Sequence, residues 1–234
     1  MAESKVKLTK DGIHAILVPF YGWTIGIVLF FLAAGRFDLP RAWIYFINSL
    51  GAIIIEGIIL WKVIPELANR RGEVQTGTKK WDRIWLVLFL FTLSFVTPIV
   101  AGLDIGRFLW TYLGIEFLFI GFVPYWLGLI ITEWAMIENQ FFEGTVRIAK
   151  DRGHKVCTTG PYSILRHPGY VGMISSVISI PFLLGSIVAF IPSGIIVVLV
   201  VTRTSLEDNL LQKELEGYVE YTKKVKKRLV PGVW

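Results

Sequence analysis

Long apolar runs, nearly free of charge, decide what this chain can fold into. Ile13–Ala34 and Ile84–Leu103 contain no Lys, Arg, Asp or Glu. Ala42–Trp61 is interrupted only by Glu56, and Phe108–Thr132 only by Glu116 and a mid-run Pro124. Tyr170–Val201 is again charge-free. A bilayer core takes about 20 residues of helix. Within it every backbone N–H and C=O needs an internal partner, which helices provide. With 54% hydrophobic residues and a mean hydropathy of +0.60, the chain is too apolar for a soluble domain of this length. The expected fold is all-α, a polytopic membrane helical bundle of about six spans.

The sixth span comes from the last run, which is too long for one crossing and short for two. Pro181, Gly185-Ser186 and Pro192-Ser193-Gly194 break it in the middle. This predicts a tight C-terminal helical hairpin that enters the membrane and returns to the same side. Of the 24 Lys and Arg residues, only Arg36, Arg41 and Arg107 fall on the far side of such a bundle. The positive-inside rule then places both termini in the cytoplasm, with Arg166 and Arg203 emerging there at the two ends of the hairpin. The first run follows several charges and has no cleavage-like exit, so it reads as a span rather than a signal peptide. The net charge of +6 flanks the apolar runs, which suits anionic lipid headgroups and not nucleic acid. A single cysteine, Cys157, excludes an internal disulfide and reads as a packing residue.

From about Thr202 to Lys227 the pattern becomes that of a cytoplasmic amphipathic helix, ending in the polybasic Lys223–Arg228. Arg203 and Glu207 are four residues apart and share a face, so an ion pair between them is the structural alternative to a functional role. The polar stretch Glu66–Arg83 reads as a connection without chemistry. Glu56 and Glu116, inside spans, are functional candidates by position alone. The chain divides into N-terminal spans, residues 1–138, and a loop, hairpin and C-terminal helix, residues 139–234.

Chemistry concentrates between Gly153 and Gly172, a polar block in greasy surroundings. Pro161 and Pro168 push the residues before them out of helical conformation and shape a loop. Pro168 also suits the first turn of the following helix, whose free N–H groups favour an anion. His154, Tyr162, Arg166, His167 and Tyr170 supply donors and aromatic faces, and Glu207 a carboxylate. Such a lining suits a zwitterionic ligand carrying an aromatic base. Tyr162 and Tyr170 also fit the plainer role of interfacial aromatics.

The pattern Gly160-Pro-Tyr-x-x-x-Arg-His-Pro-x-Tyr-x-Gly172, followed by Arg203-Thr-x-x-Glu-Asp208 and Gly217-Tyr-x-x-Tyr221, resembles the isoprenylcysteine carboxyl methyltransferase family of integral membrane enzymes, in particular its prokaryotic relatives. The resemblance runs from about Asn139 to Trp234, including Arg228–Trp234, and the earlier spans match only in hydropathy. It implies a cytoplasmic S-adenosyl-L-methionine site lined by His154, Lys155, Val156, Cys157, Tyr162, His167, Pro168, Gly169, Tyr170 and Glu207. It also implies that Arg203 and Glu207 are catalytic, with Arg203 near the methyl acceptor. The family pair of acids is usually Glu-Glu, and here it is Glu207-Asp208.

By the same resemblance the acceptor is a lipid or lipidated molecule that enters sideways from the bilayer. A carboxylate acceptor is already ionised and a sulfonium methyl is already activated, so neither a general base nor a metal is called for. Alignment and exclusion of water, worth up to roughly 7–11 kcal/mol, would carry the rate. Arg203 would hold the acceptor carboxylate, ideally through two nitrogens. For an amine acceptor, Glu207 or Asp208 would become the base. Two other enzyme classes share part of the pattern. Phospholipid amine N-methyltransferases typically add a Gly-x-Gly element, which this chain lacks. NADPH-dependent sterol-type membrane reductases add a later cysteine, and none follows Cys157. A non-catalytic membrane scaffold would have little use for His154, Tyr162, His167, Arg203 and Glu207 together.

Overall fold

A computed structural model of the protein describes residues 6–229, and every regular element among them is helical. The elements are α1 (Lys10–Ala34), α2 (Pro40–Lys62), the short α3 (Pro65–Gly72), α4 (Lys80–Phe108), α5 (Glu116–Glu138), α6 (Pro168–Leu184), α7 (Phe190–Glu214) and α8 (Tyr218–Lys224). Five of them, α1, α2, α4, α5 and α7, are long and apolar enough to cross a membrane, and α6 is a shorter apolar helix. Their outward faces are apolar: Leu32, Ile47, Val87, Phe119 and Val198 are all exposed. That arrangement fits lipid as the surrounding solvent. The end of the C-terminal motif, Val230–Trp234, lies outside the described residues.

The hairpin α6–α7 forms as the sequence predicts. Gly185 ends α6 in the left-handed region at φ 85°, where a side chain would be strained. Arg41, at the start of α2, reaches the tip and donates to the carbonyls of Phe182, Leu183, Leu113 and Gly114. Arg107 likewise donates to Ala33 and Leu32 at the end of α1. Two of the three basic residues on that side of the bundle therefore serve as caps for helix C-termini, where a cation is favourable.

The most extensive helix contact joins α5 to α6. Gly128 and Gly172 let the two backbones approach: a Cβ on either would overlap the other's carbonyl oxygen. Ser175 donates to the Pro124 carbonyl at 2.7 Å across the same interface. Small residues and serine hydroxyls are the usual means of close packing where lipid offers no hydrophobic drive. Helix α4 passes Pro98 with π-helical turns at Thr92–Val96 and Leu103–Phe108. The missing N–H and bulky ring of proline give a physical cause for an irregular ladder.

Three expectations need correction. The fourth span starts at Glu116 rather than Phe108, because Asp104 holds the preceding turn by accepting from the Thr111 N–H, the Thr111 hydroxyl and Ser186. The amphipathic C-terminal helix is not continuous: α7 runs through Thr202 to Glu214, and Gly217, at φ 80°, turns the chain into α8. The Glu66–Arg83 stretch is no idle linker, since most of α3 and the first turn of α4 fall within it and both reach the site described next.

Candidate active site at the mouth of the hairpin

Residues 139–167 form a loop over the end of the hairpin, and buried polar bonds hold it in place. Burial keeps the Tyr221 phenol far above its ordinary pKa, so it remains a donor, and it bonds the Tyr162 carbonyl at 2.6 Å. The Arg166 and His167 N–H groups donate to the carbonyls of Lys227 and Arg228 at 3.0 and 3.1 Å. Beneath the loop sits Asp208, fully buried on α7. Its carboxylate lies 3.2 Å from His167 Nε2, 3.3 Å from Arg166 Nε and 3.0 Å from Arg228 Nε. It also accepts from the Tyr218 hydroxyl at 3.0 Å and from Gln212 at 2.7 Å. A buried carboxylate demands such compensation. The second acid of the Glu207-Asp208 pair thus fastens the loop to α7 and α8.

Of the residues named from sequence for the site, eleven line a single cavity at this end: His154, Lys155, Val156, Cys157, Tyr162, Arg166, His167, Gly169, Tyr170, Arg203 and Glu207. Pro168 does not. It is buried at the first position of α6, where it shapes the backbone and offers the cavity no surface. The next N–H, that of Gly169, has no hydrogen-bond partner among the described residues, and Phe142 packs so closely that a Cβ there would collide with its ring. His154 stacks on Phe141 at 4.3 Å. Burial, helped by the nearby Arg152 and Arg147, lowers its pKa to about 4, so it is a neutral aromatic at physiological pH. Asn139 donates to the Tyr162 hydroxyl at 3.3 Å. Burial raises the Tyr162 pKa well above the ordinary phenol value and the Cys157 pKa above the ordinary thiol value, so neither is an anionic nucleophile.

Arg203 and Glu207 both face the cavity, but they do not pair with each other. Arg203 bonds Asp82 instead, Nε to Oδ1 at 2.8 Å and Nη2 to Oδ2 at 3.3 Å, and Nη2 also donates to the Gly144 carbonyl at 3.0 Å. Its guanidinium lies 4.1 Å from the Trp85 ring and 5.6 Å from that of Tyr170. Glu207 accepts the Tyr170 hydroxyl. Energetics favour this exchange of partners. Asp82 is fully buried and would otherwise be an uncompensated charge, whereas Glu207 is only partly buried and has the Tyr170 hydroxyl as a donor.

The charge inventory of the cavity is uneven. Each arginine in its lining is ion-paired: Arg71 with Glu56 at 3.2 Å, Arg147 with Glu143 at 2.7 Å, Arg166 with Asp208, which Arg228 shares, and Arg203 with Asp82. Lys155 stands at the exposed rim. Glu207 is the lining carboxylate with no cation at ion-pair distance among the described residues. The deeper wall is apolar, with Leu86, Phe89 and Met173.

Asp82, Trp85, Arg71 and Phe141 escaped the sequence reading. The only available signal was an acid opening the apolar α4, which looks the same as an ordinary favourable charge at a helix N-terminus. Glu56 has its role as the partner of Arg71. Glu116 is exposed at the start of α5, away from the cavity. Glu133, not singled out before, is buried on α5 with neither carboxylate oxygen hydrogen-bonded among the described residues.

Comparison with known proteins matches residues 120–213 to the family described as the isoprenylcysteine carboxyl methyltransferase (ICMT) family. The match includes most of α5, the loop and nearly all of the hairpin, so it begins earlier than the resemblance read from the motifs and stops short of the C-terminal tail. It supports membrane methyl transfer as the general activity. No curated protein matches the chain.

Proposed function

We propose that this protein transfers a methyl group from S-adenosyl-L-methionine to the carboxylate of a lipid or lipidated acceptor at the cytoplasmic membrane surface. The observation that carries the reading is the carboxylate of Glu207, which has no ion pair among the described residues in a cavity whose arginines are each ion-paired. S-adenosyl-L-methionine adds a net positive charge, a flat base and a carboxylate. Glu207 complements the first, the stacked His154 and Phe141 suit the second, and the free Gly169 N–H at the start of α6 suits the third. Residues 139–234 would form the catalytic core, with α4 supporting it from the N-terminal part.

When bound, S-adenosyl-L-methionine supplies a methyl group activated by its sulfonium. The protein's share is binding and alignment. Tyr170 donates to Glu207 and so fixes its carboxylate. Arg203 presents a cation to the acceptor's carboxylate, and the Asp208 cluster keeps the loop closed over both. Leu86, Phe89 and Met173 shield the site from water and give an acceptor's apolar chain a wall to lie against. No residue has to take a proton. The 21 basic residues on the site's side of the bundle favour a cytoplasmic site.

The test is a titration of detergent-solubilised protein with S-adenosyl-L-methionine and, separately, with NADPH. Binding of the former alone is expected, and binding of NADPH alone would replace methyl transfer with reduction. Incubation with lipid extracts should then yield products heavier by one methyl group. Products that gain the methyl on an amine would move the acceptor to the phospholipid class.

A further inference from the structure

Asp82 lies outside the matched segment 120–213, in the first turn of α4, and is fully buried. Beyond its two bonds to Arg203, its Oδ2 accepts the Val146 N–H at 2.7 Å, so it ties the overhanging loop to the arginine. Trp85, one turn further along α4, backs the guanidinium at 4.1 Å. Between them these contacts occupy Nε and Nη2 of Arg203. Nη1 is left as the nitrogen without a hydrogen-bond partner among the described residues.

We propose that Asp82 is a positioning residue that restricts Arg203 to a one-nitrogen hold on the acceptor's carboxylate. This rests on the methyl-transfer reading above and replaces the two-nitrogen grip expected from sequence. A carboxylate held by both oxygens has a lone pair of each engaged in a charge-assisted hydrogen bond, which lowers the nucleophilicity of both. Held through one oxygen, it keeps the other bare. That oxygen's lone pair forms the new O–CH3 bond while the C–S bonding pair leaves with sulfur. No proton moves, so Asp82 is not a base. Its carboxylate fixes which edge of the guanidinium the acceptor meets.

The first measurement needs no variant at Asp82. In protein labelled with 15N on arginine, the Arg203 Nε–H signal is identified by its disappearance in Arg203→Lys. It should exchange with solvent more slowly than surface arginines, by on the order of tenfold or more, and addition of N-acetyl-S-farnesylcysteine should not displace it. An Nε–H that exchanges like a surface arginine, or shifts to bind the probe, would overturn the proposal. The second measurement uses Asp82→Asn, which retains an acceptor for Val146. Affinity for S-adenosyl-L-methionine should stay within about twofold, because the altered contact is on the acceptor side. Turnover of the farnesylcysteine probe should fall on the order of tenfold to a hundredfold with KM unchanged or lower, the pattern of a ground state bound too well. Unchanged turnover, or lost cofactor affinity, would refute the role. If the wild-type protein fails to bind S-adenosyl-L-methionine, the methyl-transfer reading falls, while the exchange measurement still decides whether Asp82 holds Arg203. A probe that the wild type does not methylate excludes the prenylcysteine class and leaves that same measurement to decide.

Discussion

His167 and Asp208 stand 41 positions apart in the chain, yet His167 Nε2 lies 3.2 Å from Asp208 Oδ1 in the protein interior. The contact joins the residue that precedes the first helix of the hairpin to the C-terminal part of the second. Arg166, Arg228 and Tyr218 converge on the same carboxylate, so one buried acid sets the position of the whole loop.

Removing that acid should therefore act first on stability. Asp208→Ala leaves two arginines facing a buried void, a change of the kind that costs about 3–5 kcal/mol. Thermal unfolding in detergent should show a large drop in Tm for Asp208→Ala. A Tm close to that of the wild type would mean the cluster does not hold the loop.

Glu207→Gln tests the binding role without removing the side chain. The Tyr170 hydroxyl keeps an acceptor, but the charge is gone. Bonds to charged groups are worth roughly 1.5–3 kcal/mol, so affinity for S-adenosyl-L-methionine should fall by about tenfold to a hundredfold. Calorimetric titration measures this directly, with Tm expected to stay near the wild-type value. Undiminished affinity would remove Glu207 from the site.

His154 should make stability depend on pH in one direction. Its folded pKa of about 4 lies below the ordinary value of 6.5, so between these two values the unfolded chain binds the proton and the folded protein does not. The folded state is thus undisturbed above pH 6.5, loses stability as pH falls toward 4, and loses no more below that. His154→Phe, which keeps the stacking on Phe141, should flatten this part of a Tm profile relative to the wild type. Parallel profiles for the two proteins would show that His154 is not held neutral.

Glycine substitutions separate close packing from helix propensity. Gly172→Ala places a Cβ against Thr132 and the Gly128 carbonyl, and overpacking of this kind costs about 1–3 kcal/mol. Gly194→Ala, on α7, meets nothing within 4 Å and should stabilise by roughly 0.5–1 kcal/mol through helix propensity alone. Unfolding curves for the pair should move in opposite directions. Movement in the same direction would show that α5 and α6 are not pressed together at these glycines.

The spans and the hairpin were legible because hydropathy and proline-glycine breaks are local properties. The loop motif was legible for a similar reason: Pro161, Pro168 and the residues around them constrain their own backbone and concentrate polar groups where lipid would exclude them. The pairing of charges was not. Arg203 and Glu207 share a helix face, and sequence spacing pairs them, but Arg203 meets Asp82 from 121 positions away and Glu207 meets Tyr170. Nothing local distinguishes Asp82 from an acid that merely opens a helix, and nothing local shows that Asp208 is sealed from water.

By itself, then, the sequence determined that this chain forms apolar, membrane-type helices and that its polar residues gather around Gly153–Gly172 and Arg203–Glu207, because periodicity, hydropathy and backbone restriction act over a few residues. Only the tertiary structure decided which charges pair with one another and which carboxylate in the cavity lining is left without an ion pair. Electrostatic pairing depends on distance and burial, and both exist only once α4, the loop and the hairpin have come together.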